Sequence, residues 1–186
     1  MADETDDERA FREFVTARWA WLVQRAYLVT GDHGRAEDLV QSSLERMHKN
    51  WRQVDVPDAY ALRVMMNLAI SNGRRRRFLE IPVLRTPEVA AADSTSGIEV
   101  REQVWQALRH LPVRMRAVLV LRYLDDLSES ETARILGCGA GTVKSQTSRG
   151  LARLRQVIPD LAGDLPRSDT KRHAQPKTVT VEGTNP

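Results

Sequence analysis

The stretch from Ser128 to Arg155, SESETARILGCGAGTVKSQTSRGLARLR, constrains the fold more than any other, because it spells two short helices joined by a tight turn. Ser128 followed by Glu131 is a capping box, in which the hydroxyl takes a backbone N–H three residues on and the Glu reaches back. Ala133, Ile135 and Leu136 give the first helix an apolar side, and Gly137 can leave it through a left-handed conformation. The pattern resumes after CGAG with Val143, Thr147, Leu151 and Leu154, at steps of four, four and three, which is one stripe of a second helix. Its other face carries Ser145, Ser148 and Arg149, with Lys144 at the edge and Thr142 at the start. Short hydroxyls beside long cations suit a major groove, where Arg pairs with guanine and Lys and Ser hold phosphates. This spacing predicts a helix-turn-helix. An amphipathic hairpin with a solvated basic face would share the pattern.

Charge supports a polyanionic partner. The net formal charge of +3 conceals an acidic start, where residues 1–10 hold Asp3, Glu4, Asp6, Asp7 and Glu8 against Arg9. Residues 101–155 hold ten Lys or Arg against five acids, a local +5. With 186 residues, 41% of them apolar, the chain can build one medium or two small cores, and two is the expectation. Cys138 is the single cysteine, so no intrachain disulfide or cysteine-rich zinc site is expected. No signal-peptide pattern and no apolar run near 20 residues is present, so a cytoplasmic protein without membrane insertion is expected.

Three further helices precede that stretch. Phe11, Phe14, Val15, Trp19, Leu22, Val23, Ala26 and Tyr27 predict an amphipathic helix from Phe11 to Val29. A second runs from about Gly34 to Trp51, with Ala36, Leu39, Val40, Leu44, Met47 and Trp51 inward and Asp38, Gln41 and Glu45 on the other face. Pro57 opens a third, to about Phe78, with Tyr60, Arg63, Asn67, Ser71 and Arg74 along one side and the run Arg74, Arg75, Arg76, Arg77 at its end. Four adjacent cations repel one another, and a phosphate backbone would offset that repulsion. Residues 81–98, with two prolines and no sustained period, read as a flexible linker. Val100, Val104, Leu108 and Leu111 begin the second domain, and Pro112 restarts a helix that Asp125 and Asp126 end. Residues 159–186 read as a mobile tail. No strand pattern of useful length occurs, so the expected fold is all-α, with two small helical domains: an acidic arm over 1–9, a first domain over 10–80 and a second over 99–158.

Nothing in the chain assembles an active site. His33, His48, His110 and His173 are scattered, and no HExxH, GxGxxG, P-loop or GxSxG occurs. Glu37 and Asp38 are adjacent and diverge by about 100° on a helix. Cys138 has no nearby His and reads as a packing residue. No enzyme, metal or cofactor is expected.

GDHGRAEDLVQSSLERMHKNW, PDAYALRVMMNLAISNGRRRR and LPVRMRAVLVLRYLDDLSESETARILGCGAGTVKSQTSRGLARLR, in that order and spacing, resemble bacterial extracytoplasmic-function sigma factors of the sigma-70 family, and more narrowly the actinobacterial SigE-type branch. The resemblance covers about residues 10–158. It implies a sigma region 2 three-helix domain and a sigma region 4 helix-turn-helix domain. It assigns Asp38, Gln41 and Glu45 to the β′ clamp of core RNA polymerase. It assigns Tyr60, Arg63, Asn67, Ser71 and Arg74 to Arg77 to the promoter minus-10 element, and Thr142, Lys144, Ser145, Ser148 and Arg149 to the minus-35 element. The second domain would also meet the β flap, and an anti-sigma factor is a further partner the family admits. Ser148 stands where some relatives carry an aromatic residue, and the tail after Pro159 has no counterpart in the minimal pattern. A free-standing helix-turn-helix regulator would use the same last helix but leave the face of helix two and the RRRR run without a role. A protein-binding adaptor would lack salt-dependent DNA binding.

Overall fold

The computed structural model describes residues 6–79 and 105–158, with side chains left out over 76–79. The expected linker, the tail and the first residues of the acidic arm lie outside the described residues. The first half contains α1 (Asp6–Thr30), α2 (His33–His48), a 3-10 turn (Trp51–Gln53) and α3 (Pro57–Leu79). The second contains a helical turn over residues 105–109 (α4), α5 (Val113–Leu119), α6 (Glu129–Leu136) and α7 (Ala140–Val157). Between α5 and α6 the chain winds as a π-helical turn, Val120–Leu124. The described residues contain no strand.

Local chemistry sets most of the boundaries. α1 includes Asp6, the first described residue, and so takes in part of the expected arm; Asp6, Asp7 and Glu8 place carboxylates toward the positive end of the helix dipole. Asp32 caps α2 by accepting from the Arg35 N–H at 2.8 Å. α2 then stops at His48, earlier than the periodicity predicts. Trp51 is therefore not on its inward stripe; it sits in the 3-10 turn and packs edge-on against Phe11, 5.1 Å between ring centres, and against Phe14 at 5.5 Å. The inward residues Ala36, Leu39, Val40, Leu44 and Met47 are buried as expected, against Leu22, Ala26 and Val29 of α1 and Ala61, Met65 and Met66 of α3.

The two halves are closed on one another. The buried cluster of the first half continues into Ala117, Val118, Val120 and Leu121 and on to Ala133, Ile135, Leu136 and Val143. The second half keeps a core of its own, Ala107, Leu108, Leu111, Met115, Leu119, Leu151 and Leu154. Gly73 makes the approach of α3 to α5 possible, since a Cβ there would lie 2.8 Å from Val113 Cγ2. Tyr27 of α1 stacks on Trp105 of α4, with ring centres 4.6 Å apart, and Arg109 covers the same indole.

Ionic groups are trapped at this interface. Arg25 of α1 donates to Asp125 at 2.6 Å, with 9% and 6% of the two side chains exposed. Arg25 also lies 4.3 Å above the Trp21 ring. Burial pushes the Asp125 carboxyl above the ordinary carboxylate value, outweighing the attraction of Arg25. Arg116 is buried, and desolvation, then the nearby Arg35 and Arg109 charges, bring its guanidinium down to about 10.

Candidate nucleic-acid interface

The helix-turn-helix is built as its residues dictate. Glu131 N–H donates to Ser128 Oγ at 3.2 Å, and Ser128 N–H donates to Glu131 Oε2 at 2.7 Å, so both arms of the capping box are present. The side-chain and backbone hydrogen bonds from Ser128 hold the Glu131 carboxyl below its usual range. Gly137 ends α6 at φ 60°, ψ 44°, a left-handed conformation that few residues with a Cβ adopt. Cys138, half-buried, follows in the turn and donates its N–H to Ala133 O at 3.0 Å.

α7 then divides along its length. Val143, Thr147, Leu151 and Leu154 are buried, while Thr142, Lys144, Ser148 and Arg149 are exposed and Ser145 is half-buried. Ser145 Oγ donates to Thr142 O at 3.0 Å. Arg149 lies back along its own helix, donating through Nε to Ser145 O and through Nη2 to Ser145 Oγ, both at 3.2 Å. Those are exposed hydrogen bonds, each contributing about 0.5–1.5 kcal/mol in net terms, so a base edge can displace them. The sequence placed Arg149 on the outward face; its latch onto Ser145, one turn away, was readable only from the i, i+4 spacing.

Of the expected α3 residues, Tyr60, Arg63, Asn67, Ser71 and Arg74 recur at steps of three and four along one side of the helix. Arg63, Asn67, Ser71, Arg74 and Arg75 are exposed and Tyr60 is half-buried; the side chains of Arg76 and Arg77 lie outside the described set. Part of this face meets the other half of the molecule, because Asn67 Nδ2 donates to Ile135 O at 3.1 Å and so occupies one of the last carbonyls of α6. Arg74, Arg75, Asn67 and Ser71 also border a cleft of about 460 Å³ whose far wall comes from Arg114 and Leu136. On α2, Asp38, Gln41 and Glu45 are all exposed, opposite the buried stripe.

Sequence reasoning missed Arg25, Asp125, Arg114 and Gly73. Arg25 had a signal, as a charge between the inward positions Leu22, Ala26 and Val29. Among the described residues no group of three His, Cys, Asp or Glu is placed to hold a metal ion, and no helix is long and apolar enough to cross a membrane.

Comparison with known proteins gives a consistent result. The family model for Sigma-70 region 2 matches residues 14–78, and that for Sigma-70, region 4 matches residues 101–154. The chain is 37% identical over 170 residues to an RNA polymerase sigma-E factor of Streptomyces coelicolor, covering 88% of this chain and 96% of that one. It is 28% identical over 172 residues to the ECF RNA polymerase sigma factor SigW of Bacillus subtilis, covering 83% and 92%. Among solved structures, the sigma factor RpoE in complex with the anti-sigma factor NepR from Bartonella quintana superposes with a TM-score of 0.63 at 22% identity, covering 81% of this chain and 98% of that one.

Proposed function

The chain belongs to the sigma-70 family of RNA polymerase sigma factors, in the extracytoplasmic-function group, and we propose that three of its faces divide the work of initiation. As a sigma factor it binds core RNA polymerase and directs it to promoters. Asp38, Gln41 and Glu45 on the free face of α2 dock on the β′ clamp, and the second half meets the β flap. Thr142, Lys144, Ser145, Ser148 and Arg149 of α7 read the minus-35 element in the major groove. Tyr60, Arg63, Asn67, Ser71 and the arginines from 74 to 77 hold the minus-10 element, where binding of an extruded base offsets the few kcal/mol of unstacking. This division needs no catalytic group, and it places the protein in the cytoplasm with the polymerase.

The observation that carries the reading is α7. It buries one stripe completely and presents a short-hydroxyl and cationic face on a capped helix-turn-helix. The closed arrangement adds a step. Asn67 is engaged by Ile135 O, so the halves separate before α3 takes a DNA strand. An anti-sigma factor that holds the closed form is a partner we also propose, as the solved sigma factor of the same fold is bound by one.

Transcription from a promoter library by purified core polymerase plus this protein tests the whole reading. Selective initiation at a two-element promoter is expected, with Asp38→Arg weakening core binding and leaving the helical content unchanged. Core affinity unaltered by Asp38→Arg and Gln41→Ala would remove the docking role from α2.

A further inference from the structure

We propose that the cleft between α3 and the α5–α6 corner binds a small phosphorylated ligand with the chemistry of a nucleoside polyphosphate, and that this ligand holds the two halves closed. The cleft measures about 460 Å³, within the roughly 300–1,000 Å³ typical of small-molecule sites. It exists only in the closed arrangement, since α3 supplies one wall and α5 and the end of α6 supply the other.

Its charge is unbalanced. Arg74 and Arg75 come from α3 and Arg114 from α5, and none of the described lining residues is acidic. At the buried Arg25 of the same interface, Asp125 supplies an answering carboxylate. Arg74 and Arg75 line the cleft from one side and Arg114 from the other, with no such answer among the described lining residues. An anion seated among them turns their repulsion into attraction, and phosphoryl oxygens match the guanidinium fork in bidentate geometry. Asn67 and Ser71, about one helical turn apart on α3, add neutral polar groups. Ile70 and Leu136 supply an apolar surface that a bare inorganic phosphate would leave unused and that a ring system can cover.

A single DNA strand could use the same arginines, but it meets an obstacle that a compact ligand does not. Leu136 and Gly137 wall the cleft, and Asn67 is already tied to Ile135 O. The ligand and a strand on α3 therefore exclude each other. Binding of the ligand requires neither polymerase nor promoter, so its test stands apart from the functional reading above.

The experiment is calorimetric titration of the full-length protein at physiological salt with ATP, GTP, inorganic tripolyphosphate and adenosine. One saturable site per chain is expected for at least one nucleotide, with tripolyphosphate tenfold weaker or more and adenosine silent. Arg114→Gln should weaken the nucleotide at least tenfold with an unchanged melting temperature, while Arg153→Gln, an exposed change outside the cleft, leaves it unaltered. Arg74→Gln provides a second variant should Arg114→Gln fold poorly. With labels on exposed Glu45 and Arg153, the nucleotide should narrow the distance distribution between the halves. Absence of saturable nucleotide binding overturns the proposal, as does equal affinity in the wild type and in both cleft variants, which would mean a merely basic surface. Tripolyphosphate binding as tightly as nucleotide overturns the assignment of the ring to Ile70 and Leu136.

Discussion

Gly73→Ala separates the stability of α3 from the closure of the molecule. Gly73 lies inside a long helix, where glycine costs about 0.5–1 kcal/mol relative to alanine, so α3 alone gains from the change. The closed interface loses. A Cβ at this position meets Val113 Cγ2 at 2.8 Å and Val113 Cβ at 3.2 Å. Rotating the valine side chain moves Cγ2 but leaves Cβ in place, and the β-branched residue has few rotamers to offer. The strain therefore passes to the backbone of α5. Overpacking of this kind costs about 1–3 kcal/mol. At roughly 1.4 kcal/mol per decade, the closed-to-open ratio falls about 5- to 150-fold. Pulsed dipolar spectroscopy between labels at Glu45 and Arg153 reads that ratio directly, and thermal unfolding followed in parallel reads the helix. The expected result is a broader, longer distance distribution without loss of helical content. An unchanged distribution together with about 0.5–1 kcal/mol of added stability would show that Val113 does not press on Gly73 in solution, and the closed packing would fall with it.

Further outcomes follow from particular contacts. Ser128→Ala removes the capping box and should cost about 1 kcal/mol, measured by chemical unfolding, and no loss would mean the cap is idle. Glu131 has a depressed pKa, so its contribution is complete above the ordinary value of 4.5 and disappears as pH falls through the lowered one; Glu131→Gln should flatten the acid limb of the stability profile. Asp125 carries the opposite sign, since its pKa is raised from 3.8: its contribution is fullest below that value and declines as pH rises through the raised one, a slope that Asp125→Asn should erase. Asp125→Ala strands Arg25 and should destabilise the closed form by about 3–5 kcal/mol, visible in the same distance measurement. On α7, Arg149→Ala should cost about 1–3 kcal/mol at one minus-35 base pair, whereas Lys144→Ala should weaken all sequences evenly and lower the salt slope by about one; a uniform loss from Arg149→Ala would make it a backbone clamp.

What could be read from the sequence was what short-range chemistry decides. Ser128, Glu131 and Gly137 act within one turn of α6, and Val143, Thr147, Leu151 and Leu154 need only a helical period, so the helix-turn-helix and its outward face follow from the order of residues. Asp38, Gln41 and Glu45 were found the same way, by exclusion from the stripe of α2. Trp51 failed because its spacing continued the period of α2 while Phe11 and Phe14, some forty residues earlier in the chain, offered it an aromatic pocket. Gly73 and Val113 are forty residues apart and Arg25 and Asp125 a hundred, and no local pattern links such pairs. The polar face of α3 illustrates the limit well. Periodicity correctly placed Asn67 and Ser71 side by side, yet nothing in it revealed that the end of α6 would lie against them.

The closed interface is strong in its apolar parts and poor at its polar centre. Asp125 uses only one carboxylate oxygen on Arg25, and its other oxygen is buried without a partner among the described residues. Arg116 Nε and Trp105 Nε1 are likewise buried with no partner among the described residues. Each unsatisfied group costs about 1–3 kcal/mol, so these three together oppose closure by an amount of the same order as the stability of a whole domain. Packing of Ala117, Val118 and Leu121 against the first half works in the other direction, at roughly 25 cal/mol per Å² removed from water. Two large terms of opposite sign leave a small difference, and a small difference is what a reversible step requires. Opening returns three polar groups to water and frees Asn67. A partner that gives Asp125 or Arg116 the hydrogen bonds they lack in the closed form would pull the halves apart, whereas an anion among Arg74, Arg75 and Arg114 would hold them together. The two kinds of ligand act on opposite sides of the same balance, so the closed fraction should respond steeply to either one.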